Sequence, residues 1–247
     1  MMKCESMTIN EARKDHKGWI IQEKIDGTRT FYKCGVLDSP ERAGLKAERF
    51  AHIQNELRKM VGIDVVLDGE IYLPNGCVHQ VNASENWKKC RYGVFDVLEV
   101  GGRNLREIPF SERRSILNSL LAGCKFSDTV REFDSLEQGW NEVVSKELEG
   151  LVIKNPQGKY YDTRNWAWIK IKNYKEAVEE IVGFEEGSVK GAFLLANGGK
   201  MSALSADKVR EYKELKAKGR VFAELEYLYK TKTGKYFQPI LKRLVIK

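Results

Sequence analysis

Short apolar runs of strand length recur along the chain, with helical segments between them at irregular intervals, and this order constrains the fold more than any single motif. "GWIIQEKI" (18–25), "RTFYKC" (29–34), "IDVVLDGEIYL" (63–73), "RYGVFDVLEV" (91–100) and "EGLVIK" (149–154) read as strands. Helical spacing appears over 41–60, where Phe50, Ile53, Leu57 and Met60 share a face, and over 111–123, which follows a proline and ends in glycine. A third helix is expected over 135–150, opened by Ser135 and Gln138 at capping-box spacing. Because strands predominate and the helices do not alternate with them regularly, an α+β fold is expected rather than a parallel βαβ sheet.

The pattern changes after "WAWIKIKNY" (166–174). Five short strand candidates follow, interrupted by one amphipathic segment, 205–219, with Ser205 as N-cap and Gly219 as C-cap. That make-up suits a small OB-like β-barrel, so the 247 residues are expected to divide into domains 1–173 and 174–247, the first built of antiparallel sheets with flanking helices. Net charge is +7, and from Asn173 onward fifteen lysines and arginines face ten acids. A basic excess of this kind suits a polyanionic partner. No run of 18 apolar residues exists, which argues against a membrane span, and the first 19 residues lack the apolar centre of a secretory leader. Five scattered cysteines without a CxxC pair, and only three histidines, argue against zinc and disulfides and for a reducing, cytoplasmic setting.

One stretch raises a chemical question: "KIDGTR" (24–29) ends an apolar run on a lysine and turns through Asp-Gly into the next strand. Asp-Gly is a strong hairpin signal, and an exposed turn lysine is the plainer reading of the hexapeptide alone. The alternative is a nucleophile: burial and neighbouring cations would disfavour the charged form of Lys24, and Gly27 would let the backbone pass close to a phosphate. Other segments supply what such a nucleophile needs. Glu70 in "LDGEIY" could accept both hydroxyl protons of a ribose, and Phe95 in "GVFDVL" offers a face for a purine. Glu149 stands at a strand entrance with Lys154 at its end, while Lys170 and Lys172 in "WAWIKIK" share one strand face. Singly, each has a bland explanation as core or solvated surface. Together, in this order, they form an inventory for nucleotidyl transfer.

In that set, "KIDGTR", "LDGEIY", "VFDVL", "EGLVIK" and "WIKIK" resemble motifs I, III, IIIa, IV and V of the ATP-dependent DNA ligases, members of the covalent nucleotidyltransferase superfamily. The resemblance covers nearly the whole chain and implies an adenylation domain followed by an OB-fold domain. It implies ATP and Mg2+ (or Mn2+) as cofactors, nicked duplex DNA as partner, and a monomer. Lys24 would attack the α-phosphorus and carry AMP; Lys170 and Lys172 would neutralise phosphate charge; Arg29, Glu70, Phe95 and Glu149 would bind the nucleotide. Asp26 and Glu149 would support the lysine or hold the metal, and Arg42 and Arg164 would meet the 5′-phosphate of the DNA. With only about 18 residues ahead of the first expected strand, the chain resembles the smallest ligases, which lack a preceding helical domain. The closing motif of larger ligases has no clear counterpart in "PILKRLVIK", although Arg243 and Lys247 stand there.

Three other readings compete. A capping guanylyltransferase shares the lysine motif, but Glu149 and "WIKIK" look more like a ligase. An RNA ligase usually has a looser lysine motif and no clear OB tail. A non-catalytic OB-fold nucleic-acid binding protein would need only the basic charge and the tail.

Overall fold

Strand alternation explains the architecture of the first half of the chain. The computed structural model describes every residue except 41–46, 188–190, 204 and 247. Among the described residues it forms two compact units, Met1–Ile171 and Lys172–Lys247.

In the first unit, one sheet runs in the order Lys3–Ser6, Arg164–Lys172, Gly150–Lys154, Ile20–Glu23 and Glu132–Phe133. Its period of two sorts the side chains. Ile21, Leu151, Ile153, Ile169 and Ile171 go to one face, where they form a core with Ala12 and Val143 of the helices Ile9–Asp15 and Leu136–Ser145. Gln22, Val152, Lys154, Trp168 and Lys170, at the intervening positions, line a cavity on the other face.

The second sheet contains Val36–Asp38, Thr28–Lys33, Val65–Tyr72, Arg91–Val100 and Arg103–Asn104 in that order, with Ser127–Thr129 added beside Arg91–Val100. Tyr32, Leu67, Ile71, Tyr92, Val94 and Val97 pack under Ile53 and Leu57 of helix Ala51–Met60 and Leu117 and Leu121 of helix Phe110–Leu121. A smaller cluster of Met2, Val66, Leu98, Tyr160 and Trp168, joined by Cys4, Phe31 and Phe95, brings residues of both sheets together. The expected Asp-Gly hairpin is not formed: the strands flanking 24–27 belong to different sheets. Gly27 is demanded by close packing, because a Cβ there would lie 2.3 Å from the Ile71 carbonyl oxygen.

Three local expectations are corrected. Ser135 Oγ does accept from Gln138 N at 3.1 Å, but Gln138 Oε1 accepts from Asp134 N, so the reciprocal bond of a capping box is absent there. The helix Ala206–Lys216 begins after Ser205 as expected and ends on Ala217, short of Gly219. The N-terminal residues also do more than precede the first strand: Lys3–Ser6 pairs parallel with Arg164–Lys172, and Thr8 and Glu11 cap the following helix reciprocally.

The second unit has the OB-fold arrangement. Its strands lie in the order Lys200–Ser202, Ala192–Leu195, Lys175–Glu185, Val221–Tyr227 and Ile240–Ile246. The long strand Lys175–Glu185 serves both halves, pairing through Lys175–Glu180 with Val221–Tyr227 and through its remainder with Ala192–Leu195. Ile181, Phe193, Leu195, Val221 and Leu244 make its core with Tyr212 of the helix. The fold class is therefore α+β.

Candidate active site

The cavity, about 330 Å³, falls in the size range of small-molecule sites. Six cationic side chains line it, those of Lys3, Lys24, Arg29, Lys154, Arg164 and Lys170, against the two carboxylates of Glu23 and Glu70. That excess suits an anion of several charges. Phe95, Trp168, Ile25, Val130 and Val152 supply apolar wall. Two buried polar atoms on lining residues, Gln22 Oε1 and Trp168 Nε1, have no hydrogen-bond partner among the described residues, so a ligand with both donors and acceptors fits the site.

Lys24 follows the strand Ile20–Glu23, and its backbone N–H donates to the Gly150 carbonyl at 2.9 Å. This pairing sets it beside Glu149, whose Oε2 accepts from Nζ at 2.7 Å; the side chains are 21% and 8% exposed. Burial pulls the lysine pKa down, but the charge and hydrogen bond of Glu149 lead the opposing pull and the net direction is upward. The expectation of an amine already stripped of its proton is corrected: the neighbours that decide are carboxylates, not cations.

Glu70 is the inverse case. Burial, opposed by Lys24 and reinforced by Glu149, pushes its carboxyl up to about 8, so in the free protein it carries a proton at neutral pH. Asp26 also rises, through burial and then Glu149, although its Oδ2 accepts from Val78 N at 3.2 Å. Neither Asp26 nor Glu149 lines the cavity directly; Glu149 borders it through Lys24.

Phe95 occupies a bulge. The register along Val65–Tyr72 passes from Asp68 opposite Asp96 to Gly69 opposite Val94, leaving Phe95 unmatched and its ring in the cavity wall. The next residue, Asp96, takes a fully buried bidentate pair with Arg113 at 2.8 and 2.9 Å, tying helix Phe110–Leu121 to this strand. Arg29 lines the cavity but is largely committed. It grips buried Asp68 at 3.0 and 2.6 Å, donates to the Met2 carbonyl at 2.6 Å, and lies 5.4 Å from the Phe95 ring centre. Tyr160 donates to the same Asp68 at 2.8 Å. Arg164 donates to the Cys4 carbonyl at 2.6 Å from the cavity edge.

Of the two strand lysines, Lys170 lines the cavity, whereas Lys172 is grouped with the second unit and donates to Gln238 Oε1 at 3.0 Å. Strand alternation gives both side chains one face, and of the two only Lys170 is among the residues that line the cavity. Arg42 lies outside the described residues, as does Lys247.

The structure adds lining residues that had no assigned role. Lys154 is 1% exposed, donates to the Phe95 carbonyl at 2.8 Å, and sits 3.9, 4.4 and 5.1 Å from the ring centres of Trp168, Phe110 and Phe95. Burial drives its pKa down to about 8 against the pull of Asp96. Its sequence signal was a lysine at the cavity-facing position of an otherwise apolar strand. Lys3 and Cys4 arrive with the N-terminal strand, and Gln22 hides in "WIIQEK" as an ordinary polar position.

A cavity between two sheets with a lysine at their junction, joined in sequence to an OB fold, is the arrangement implied by the resemblance to the covalent nucleotidyltransferases. The chain belongs to the ATP dependent DNA ligase domain family, whose model matches residues 1–172. Among curated relatives, DNA ligase 1 of Methanosarcina mazei is 28% identical over 235 residues, covering 78% of this chain and 41% of that protein. The bifunctional non-homologous end joining protein LigD of Bacillus subtilis is 27% identical over 173 residues, 59% of this chain and 27% of that protein. The chain thus spans less than half the length of these two relatives. Among solved structures, a Lig E DNA ligase superposes with a TM-score of 0.78 at 17% identity, over 99% of this chain and 98% of that one. The ligase domain of M. tuberculosis LigD does so with 0.63 at 21%, over 99% and 94%. At these identities the likeness is one of fold.

Proposed function

We propose that this protein is an ATP-dependent DNA ligase that seals breaks between a 5′-phosphate and a 3′-hydroxyl in duplex DNA, acting as a monomer in the cytoplasm. The observation that carries the reading is the Lys24 ammonium, 2.7 Å from Glu149 Oε2, in a cavity whose other cations suit a triphosphate. Family membership favours a DNA ligase over a capping enzyme, an RNA ligase or an inert binding protein.

Two lysines compete for the role of nucleophile, and pKa alone would choose Lys154. Geometry decides against it. Lys154 is enclosed by three rings and held by a carbonyl, whereas Lys24 is partly open and has a carboxylate in contact to receive its proton. Glu149 Oε2 takes a proton from Lys24 Nζ, the neutral amine attacks the α-phosphorus, a P–N bond forms, and the bond to the leaving pyrophosphate breaks. Lys170 and Lys3 meet the phosphate charge; Phe95 stacks on the base and Glu70 bonds the ribose. In the second step an oxygen of the DNA 5′-phosphate, steered by Arg42 and Arg164, attacks the same phosphorus, and Lys24 leaves and recovers its proton. The 3′-hydroxyl then attacks the 5′-phosphorus and gives its proton to water, the phosphodiester P–O bond forms, and the pyrophosphate bond to AMP breaks so that AMP departs.

The donor set fits Mg2+ or Mn2+. Burial, and after it the charge of Glu149, raises the Asp26 carboxyl, and two such hard oxygen donors close together suit these ions. No group of three His, Cys, Asp or Glu forms a cage among the described residues, which accords with an ion held by one or two carboxylates plus phosphate and water. When bound there it would neutralise phosphate charge in the transition state.

The test is a nicked duplex carrying a labelled 5′-phosphate, incubated with ATP and MgCl2. Sealing that needs ATP and disappears in Lys24→Ala supports the proposal. Binding without sealing, or sealing confined to RNA duplexes, overturns it.

A further inference from the structure

Gln22 is 3% exposed, lines the cavity, and is only half satisfied. It stands directly across the strand pair from Glu132, and its Nε2 donates to Glu132 Oε1 at 3.0 Å. Glu132 is in turn gripped by Arg114, whose Nε donates to the same oxygen at 2.6 Å and whose other nitrogen pairs with Oε2. A carboxylate only accepts, so turning the Gln22 amide over would set two oxygens against each other. The amide polarity is therefore fixed. The unmet group is Oε1, an acceptor buried without a partner among the described residues.

We propose that Glu132, braced by Arg114, is a positioning residue for base selection: it locks Gln22 so that Oε1 accepts from the exocyclic amine of adenine. A 6-oxopurine presents an acceptor at the same place and leaves both oxygens unpaired, which a buried site tolerates poorly. The inference rests on the nucleotidyl-transfer reading of the cavity and adds how that cavity tells one purine from another. Glu132 itself touches no nucleotide; it acts through Gln22. Its sequence position, in a two-residue strand at the sheet edge, gives no hint of this role.

The test compares covalent labelling of the protein by α-labelled ATP and α-labelled inosine triphosphate, each with MgCl2. Wild type should prefer ATP by roughly tenfold or more, the size of one buried hydrogen bond gained against one acceptor clash. Glu132→Gln, which lets the Gln22 amide turn over, should bring the ratio towards unity. Glu132→Asp should keep the preference, and Gln22→Leu should abolish it. A purely structural Glu132 would lower both rates together and leave the ratio unchanged in Glu132→Gln, and that result overturns the inference. An unchanged ratio in Gln22→Leu overturns it as well, and this variant serves if Glu132→Gln does not fold. A wild type labelled by neither nucleotide retires the ligase reading and this inference with it, whereas ATP labelling with an insensitive ratio retires this inference alone.

Discussion

Glu70 and Lys154 show how one cavity moves two ordinary groups towards the same pH from opposite sides. Glu70 rises from 4.5 to about 8 and Lys154 falls from 10.5 to about 8, each chiefly through burial. Between pH 4.5 and 8 the folded protein holds a proton on Glu70 that the unfolded chain has lost, so this group makes stability fall as pH rises. Between 8 and 10.5 the folded protein has lost the Lys154 proton that the unfolded chain keeps, so stability rises again. Thermal melts at low salt should therefore show the fall flattened in Glu70→Gln and the rise flattened in Lys154→Met. Melting curves whose pH dependence is the same in all three proteins would refute the assignment. The sequence displayed Glu70 and Lys24 as motif members but not their charge states. Those depend on carboxylates 46 and 125 residues away from the lysine, which only the fold brings together.

Elements set these contacts, and their positions were largely readable. Runs such as 91–100 and 149–154 gave strands close to Arg91–Val100 and Gly150–Lys154 because alternation and bounding turns agree. What stayed hidden was pairing. Sequence does not say that the strands beside Lys24 enter different sheets, that Phe95 sits in a bulge, or that Lys3–Ser6 returns as an edge strand beside Arg164–Lys172. The helix Ile9–Asp15 did carry a signal, Thr8 and Glu11 at capping-box spacing, but its seven residues are too few to show a clear periodic face. Two element-scale substitutions test the architecture. Gly27→Ala should cost about 1–3 kcal/mol, since the Ile71 carbonyl cannot yield as a side-chain end can. Arg113→Met should cost about 3–5 kcal/mol by leaving the buried Asp96 side chain without its partner. Urea midpoints unchanged in both would contradict the packing described.

At the scale of the whole molecule, the sequence separated a mixed first part from a basic, strand-rich tail, and the structure divides at Ile171 and Lys172. The break falls inside the strand Arg164–Lys172, where hydrophobic alternation continues without interruption, so composition could locate it only approximately. With a net charge of +7, the proposed duplex binding should be salt-dependent, the logarithm of affinity falling linearly with the logarithm of salt concentration. Arg164→Gln should make that slope shallower by about one while weakening nicked and intact duplexes alike, if this exposed guanidinium meets a phosphate. A slope the same as wild type would remove Arg164 from the DNA contact.

The most direct measurement locates the nucleotide on the chain. Lys3, Lys24, Lys154 and Lys170 all line the cavity, so each amine is a rival for the phosphorus. After incubation with ATP and MgCl2, peptide mass spectrometry should find AMP on the Lys24 side chain and on none of the other three. Adenylate on Lys154 or Lys170, or on no lysine at all, would contradict the mechanism built on the Lys24–Glu149 contact.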